Sequence, residues 1–311
     1  MSGIVAASRS VGRPRITVAD LHRRRDRWGW VFVAPFLVVF LFFLVAPLVY
    51  AGYMSLWAKG LVGGARFTGL GNYVRVFTDA VFLHGLQRVV FYVLVMVPIQ
   101  IGLGTIIAMV LDVLTTKLAR VSRLLVFLPY AVPAMIGALM WSFLYSPNFG
   151  PITALFRSLG LNAPNLLAST SIFGSLVNVV TWQWVGYYMI IIFSALKAID
   201  PSLYEAALLD GASTTQTAIH VKLPLIVPSL IMCTVFSLIG TLQFYTEPTI
   251  LRAAAPSAIP VTYTPNMYAA NLAFSQGLFN YASTVAFSLG VIVFIGSYLF
   301  LFLTRKQSGL K

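Results

Sequence analysis

The chain has 311 residues, 59% of them hydrophobic and 9% charged, with a mean hydropathy of +0.87. This composition excludes a soluble globular domain and describes an integral membrane protein. The formal charge of +13 would suit a nucleic-acid partner if it were gathered into one patch, but it follows the chain as a topology signal.

Residues 1–27 form a basic tail carrying Arg9, Arg13, Arg15, Arg23, Arg24, Arg25 and Arg27. No apolar core precedes Trp28, so the tail does not read as a cleavable signal peptide. It is expected to be cytoplasmic and largely disordered, within reach of anionic headgroups. A spanning helix needs about 20 apolar residues, because lipid offers no partner to free backbone N–H and C=O groups. Six stretches meet that need: Trp30 to Tyr53, Val89 to Leu111, Leu124 to Tyr145, Ile172 to Leu196, Leu225 to Ile250 and Ala282 to Leu303. The predicted fold class is all-α: a polytopic membrane protein with six transmembrane helices, one membrane domain over residues 28–311, and both termini cytoplasmic. On that orientation the tails and the loops after spans 2 and 4 hold 15 of the 21 Lys and Arg. Lys59, Arg66, Arg75 and Arg88, placed in the first outer loop, run against the bias. Pro35, Pro47, Pro98, Pro129 and Pro133 lie in or beside spans and read as static kinks.

Several chemistries lack their residues. No Gly-x-x-x-x-Gly-Lys-[Ser/Thr] run is present to cradle a nucleotide phosphate. His22, His84 and His220 are far apart, and the eight acids form no Asp-rich magnesium motif. The single Cys233 falls inside the fifth span as a small buried apolar residue. Neither an enzyme nor a metal site is expected. The spans are also nearly free of charge, with Asp112 at the inner edge of span 2 and Glu247 near the outer end of span 5. Ion-driven transport places ionisable groups at mid-membrane, so energy for transport is expected from another subunit.

Between spans 4 and 5, residues 197–224 carry the most specific local chemistry. Asp200 is placed to cap a helix with Pro201 at its first position, and Gly211 supplies the positive φ that ends it. Ala212 to Val221 is expected to form a second helix that Pro224 keeps from running on unbroken. Lys197, Lys222 and His220 are too few to read DNA phosphates.

At Glu205, Ala206, Ala207, Asp210, Gly211, Ala212, Leu223 and Pro224 the loop resembles the permease family of ABC importers, with Val221 for the family's Ile and Ala218 where many sugar permeases carry an aromatic. The resemblance implies that this loop is a coupling helix docking in a cleft of an ATP-hydrolysing subunit. Ala206 and Ala207 keep that helix narrow, Glu205 offers a carboxylate, and Gly211 permits close backbone approach. Phe67-Thr-Gly-Leu-Gly-Asn-Tyr73, Leu128-Pro-Tyr-Ala-Val-Pro133, Trp141, Gly150 and Phe244-Tyr-Thr-Glu-Pro-Thr-Ile-Leu251 are similar to the carbohydrate branch.

Sugars are held by amides and carboxylates on their hydroxyls and by aromatic rings on their C–H faces. Gln183, Trp184 and Tyr187 follow one face of span 4, while Gly240, Gln243, Phe244 and Glu247 follow one face of span 5 at i, i+3, i+4, i+7. The resemblance implies that these seven line a sugar pathway. It also implies a second permease subunit, an ABC ATPase dimer bearing the ATP and magnesium, and an extracytoplasmic solute-binding protein. Two alternatives are an ABC permease for another solute such as glycerol phosphate, with Arg66, Arg75 and Arg88 as anion contacts, and an ion-driven secondary transporter.

Overall fold

The computed structural model describes residues 18–59, 64–114 and 117–305. Fifteen α-helical segments, three π-helical turns and one short hairpin lie within them. The chain divides into residues 1–53 and 54–311. In the first part, α1 (Val18–Phe40) passes through a π-helical turn, Leu41–Val45, into α2 (Ala46–Ser55). Pro47 brings no N–H to the ladder, and the widened turn before it absorbs the break. Helix therefore begins at Val18, inside what the sequence predicts as a disordered tail; residues 1–17 of that tail lie outside the described residues. Residues 29–55 are long and apolar enough to cross a membrane.

In the second part, the hairpin β1 (Trp57–Lys59) with β2 (Ala65–Phe67) precedes α3 (Gly71–Thr78). The Phe67-to-Tyr73 motif explains itself here. Gly69 has φ +53°. The Asn72 amide donates to the carbonyls of Ser55 and Trp57, both at 2.9 Å, and the Tyr73 and Ser55 hydroxyls lie 2.7 Å apart. The motif thus fastens the turn onto the strand entry that precedes it.

α4 (Ala80–Val113) runs 34 residues, nine longer at its start than the predicted second span. At 1.5 Å per residue that is about 50 Å, well beyond the hydrocarbon thickness of about 30 Å. Asp79 begins it, accepting from the Val81 N–H at 2.9 Å. Tyr268 and Tyr281 donate to the same carboxyl at 2.7 and 2.8 Å. Burial would push this carboxyl up, yet those two phenols and the backbone N–H donors hold it below the usual Asp value. Arg88, predicted in a loop, is therefore helical; it donates to the Tyr263 carbonyl at 2.5 Å and lies over the Tyr263 ring.

The predicted third span is not one helix. α5 (Lys117–Ala131) and α6 (Ala134–Leu144) meet at a bend of 98° around Val132 and Pro133. Pro133 brings no donor and restricts Val132 to extended backbone, so the ladder cannot cross. After α7 (Pro151–Ser158), the long helix α8 (Ile172–Lys197) packs against both α4 and α5. Gly186 makes the second contact possible, since a Cβ there would lie 2.1 Å from the Val126 carbonyl oxygen.

The segment after α8 forms α9 (Pro201–Leu209), α10 (Thr214–Thr217), a π-helical turn Ala218–Lys222 and α11 (Leu223–Leu225), leading into α12 (Val227–Leu242). Three non-helical residues separate α12 from α13 (Thr246–Leu251), so the fifth span is also broken. α14 (Pro265–Ala270) precedes a third π-helical turn, Asn271–Ser275, and α15 (Phe279–Thr304) ends the described chain. Five helical stretches, or six counting the bent pair, are long and apolar enough to span.

Two apolar cores stack along α8. One joins Tyr92 and Met96 to Leu176, Val180, Phe244 and Leu251; the other joins Ala108 and Leu111 to Met189, Ile192, Leu196 and Cys233. Leu94, Ile106, Leu124, Leu139 and Phe294 remain more than half exposed, as side chains facing lipid require rather than water.

Candidate functional site

The α8–α12 loop is shaped by local hydrogen bonds. Asp200 caps α9 by accepting from the Ser202 N–H at 2.9 Å, with Pro201 at the first helical position. That bond holds the Asp200 carboxyl below the usual value. At the other end Gly211 takes φ +78°, and the N–H groups of Gly211 and Ala212 close on the carbonyls of Leu208 and Ala207, both at 3.0 Å. This is the paired closure that a glycine after a helix permits. Ser213 and Gln216 then form a capping box, with reciprocal bonds of 3.3 and 2.7 Å.

The second helix starts after the Ser213 cap, at Thr214 rather than Ala212. It does not run on unbroken: a π-helical turn and a turn at Ile226 interrupt it on either side of Pro224. After the π-helical turn Ala218–Lys222, Pro224 falls in the first turn of α11, where a missing N–H costs little, and the chain passes into α12. Leu223 and Pro224 are therefore part of the stem joining the loop to α12.

α9 buries no residue. Glu205, Ala206 and Asp210 are exposed, and Leu203, Leu208 and Leu209 are 45%, 74% and 89% exposed. A short helix carrying apolar side chains and a carboxylate on open surface has the chemistry of a docking element.

The second feature is a cavity of about 210 Å³ beside the break between α12 and α13. Trp184, Gly240, Gln243, Phe244 and Glu247 line it. Gln183 and Tyr187 do not. The Gln183 amide instead donates to the Val132 carbonyl at 3.2 Å, meeting the acceptor freed by the bend between α5 and α6. Tyr187 stacks on Tyr130 at 4.7 Å between ring centroids. The continuous face expected from Gly240 to Glu247 does not exist, because the helix stops at Leu242 and resumes at Thr246. The break nonetheless brings the four residues round one space. Its freed Gln243 carbonyl accepts from the Asn266 amide at 2.9 Å.

Two wall residues escape sequence reasoning. Gln100 on α4 is buried, and Ser237 on α12 donates to its Oε1 at 2.7 Å. A glutamine in the middle of an uncharged span is the signal that points to it. Glu247 is 7% exposed. Among the described residues no three His, Cys, Asp or Glu side chains group as a metal would need.

Comparison with known proteins agrees with this architecture. A lactose transport system permease protein of Rhizobium radiobacter is 30% identical over 294 residues, 93% of this chain and 98% of the relative. An sn-glycerol-3-phosphate transport system permease protein of Salmonella choleraesuis is 31% identical over 246 residues, 77% of this chain and 81% of the relative. The fold matches a bacterial alginate ABC transporter solved with an alginate pentasaccharide-bound periplasmic protein, with TM-score 0.83, 19% identity, and coverage of 93% of this chain and 98% of that one. Residues 100–308 match the model of the binding-protein-dependent transport system inner membrane component. The chain belongs to that family, the membrane permease subunits of ABC transporters, which are transport subunits rather than enzymes.

Proposed function

We propose that this permease carries a neutral sugar, mono- or oligosaccharide, across the membrane by ATP-driven alternating access. The observation that carries the reading is the lining of the cavity at the broken fifth span. Trp184 and Phe244 offer ring faces, Gln100, Gln243 and Ser237 offer hydrogen-bonding groups, and Glu247 offers a carboxylate. Hydroxyl-rich, uncharged solutes suit that set. A phosphate ester does not, since the lining includes a carboxylate and no Lys, Arg or His. Of the three arginines named as anion contacts, Arg88 is engaged with Tyr263, Arg75 lies over the Tyr281 ring at 4.5 Å, and Arg66 is exposed on β2, outside the cavity lining. Gln183 and Tyr187 act one layer out, holding the bend and the aromatic wall behind Trp184. Family membership removes the ion-driven alternative.

In this mechanism residues 1–27 and both termini are cytoplasmic, and residues 28–311 form the permease domain. The loop 197–224 faces the cytoplasm and presents Glu205, Ala206, Ala207, Asp210 and Gly211 to one subunit of an ABC ATPase dimer, which binds the ATP and magnesium. Leu223 and Pro224 carry the motion into α12. A second permease subunit completes the pathway, and an extracytoplasmic binding protein delivers the sugar. Closure of the ATPase dimer pulls the coupling helices and rocks the spans between inward-open and outward-open states.

The test is uptake by the reconstituted transporter over a panel of labelled mono- and disaccharides, with sn-glycerol 3-phosphate as competitor. Glu247→Ala and Gln243→Ala are each expected to lower uptake of the accepted sugar about tenfold, the effect of losing a hydrogen bond to a charged or desolvated group, while assembly persists. Unchanged kinetics in both variants would remove these residues from the site. Competition by the phosphate ester and by no neutral sugar would overturn the assignment of the solute.

A further inference from the structure

One carboxylate ties both ends of the loop that displays α9 to α4. Asp112, the penultimate residue of α4, has a side chain only 6% exposed and bridges two lysines. Lys197, the last residue of α8, reaches its Oδ1 at 2.6 Å and also its backbone carbonyl at 3.3 Å. Lys222, at the end of the π-helical turn, donates to Oδ2 at 2.5 Å and is only 12% exposed. These lysines bracket the loop: one precedes α9 and the other follows α10. Asp112 therefore ties both stems of the loop to a third helix.

α9 itself joins this cluster through Tyr204. The Lys222 ammonium sits 4.8 Å from the centre of the Tyr204 ring, and the Tyr204 hydroxyl donates to the Leu196 carbonyl at 3.3 Å. Beside these contacts the packing is loose: a cavity of about 310 Å³ lies between α4, α9 and α10, lined by Met109, Val113, Tyr204, Leu208, Ala218 and other residues. With no buried residue of its own, α9 can pass force to the spans only through the contacts it has. Charge-assisted bonds of this length are roughly twice as strong as neutral ones, and loss of one partner leaves the other charge poorly solvated.

We propose that Asp112, with Lys197 and Lys222, is the positioning clamp that makes the α9 loop move as one body with α4, α8 and α12. It sets how much of each ATPase stroke reaches the pathway. This inference rests on the reading of α9 as the ATPase contact. It adds that transmission depends on an ion cluster outside the docking surface and outside the lining of the solute cavity.

The experiment compares solute uptake with ATP hydrolysis in the complete transporter, reconstituted with its ATPase and binding protein. Asp112→Asn keeps the shape and removes the charge. It is expected to retain ATP hydrolysis while the uptake per ATP falls about fivefold or more, the range of ordinary inter-site coupling. Lys222→Met should fall in the same direction, Lys222→Arg should stay near the parent ratio, and Lys197→Met, whose side chain is 54% exposed, should show the smaller loss. An unchanged ratio in both Asp112→Asn and Lys222→Met overturns the clamp. So does an equal fall in hydrolysis and uptake for all four variants, which is what merely poor assembly produces. Should Asp112→Asn not assemble, the contrast between Lys222→Met and Lys222→Arg decides. Deleting Glu205–Ala207 separates the two readings: coupled uptake surviving that deletion defeats the docking role itself, whereas uncoupling by the deletion alone defeats only the clamp.

Discussion

The α8–α12 loop and the cavity at the fifth span are built in opposite ways. The loop is made by neighbours in sequence: Asp200 with Ser202, Gly211 with Leu208, Ser213 with Gln216. It leaves its helix exposed. The cavity is made by distant residues meeting at two interruptions, with Gln183 serving the Val132 carbonyl and Asn266 serving the Gln243 carbonyl. Membrane helices tolerate such interruptions only where protein satisfies the freed groups. On the proposed function, the docking loop can be specified locally because its partner supplies the remaining contacts. The proposed solute site needs backbone and side chains from several helices before any polar group can face inward.

Three changes sharpen that contrast. The largest effect is expected from deleting Glu205–Ala207, which should abolish coupled uptake while the spans still fold, because α9 contributes nothing buried to them; uptake assayed beside detergent-extracted monomer yield checks both halves. Next is Gly186→Ala, which changes a single methyl. The new Cβ would meet the Val126 carbonyl oxygen at 2.1 Å, so α8 and α5 must separate, at a cost of about 1–3 kcal/mol as in other overpacked sites. A lowered midpoint of thermal unfolding in detergent reports it, and an unchanged midpoint would show that the helices are not in such close contact. Smallest is Ser213→Ala, which removes half of the capping box and should cost about 1 kcal/mol of local helix stability. Hydrogen exchange should show it as faster exchange at Thr215 and Gln216, with none of the change spreading to α8. Spread of the effect into α8 would mean that the loop is less independent than its local bonding implies.

The sequence was most legible where structure is local or where solvent dictates it. Apolar run length located five span-length helices and the bent pair at the third, since lipid penalises any free backbone group regardless of neighbours. The fourth and sixth lie within a few residues of their expected ends. The caps at Asp200 and Gly211 followed from side-chain chemistry at fixed offsets. The helix carrying the second span starts at Ala80, nine residues before the expected span; Arg88 looked like a loop residue, and only the fold supplies the Tyr263 carbonyl and ring that it meets.

The interruptions were less visible. Prolines at 129 and 133 marked the third span for a kink, but proline alone does not set an angle; the 98° bend stands because α8 approaches at Gly186 and Gln183 reaches the exposed carbonyl. The break after Leu242 carries no proline within it, and the helical spacing from Gly240 to Glu247 argued for continuity. Five of the seven stripe residues meet at one cavity, whereas Gln183 and Tyr187 serve the bend and its aromatic wall. Gln100 joins them from another helix.

By itself, then, the sequence determined that this protein lives in a membrane as helices, where its loop helix begins and ends, and which family motif that loop carries, because each of those depends on short-range bonding or on transfer into lipid. Tertiary structure alone decided where the helices bend and break, which polar groups face one another inside them, and that Asp112 clasps Lys197 and Lys222. Those outcomes depend on which surfaces meet after the chain has packed.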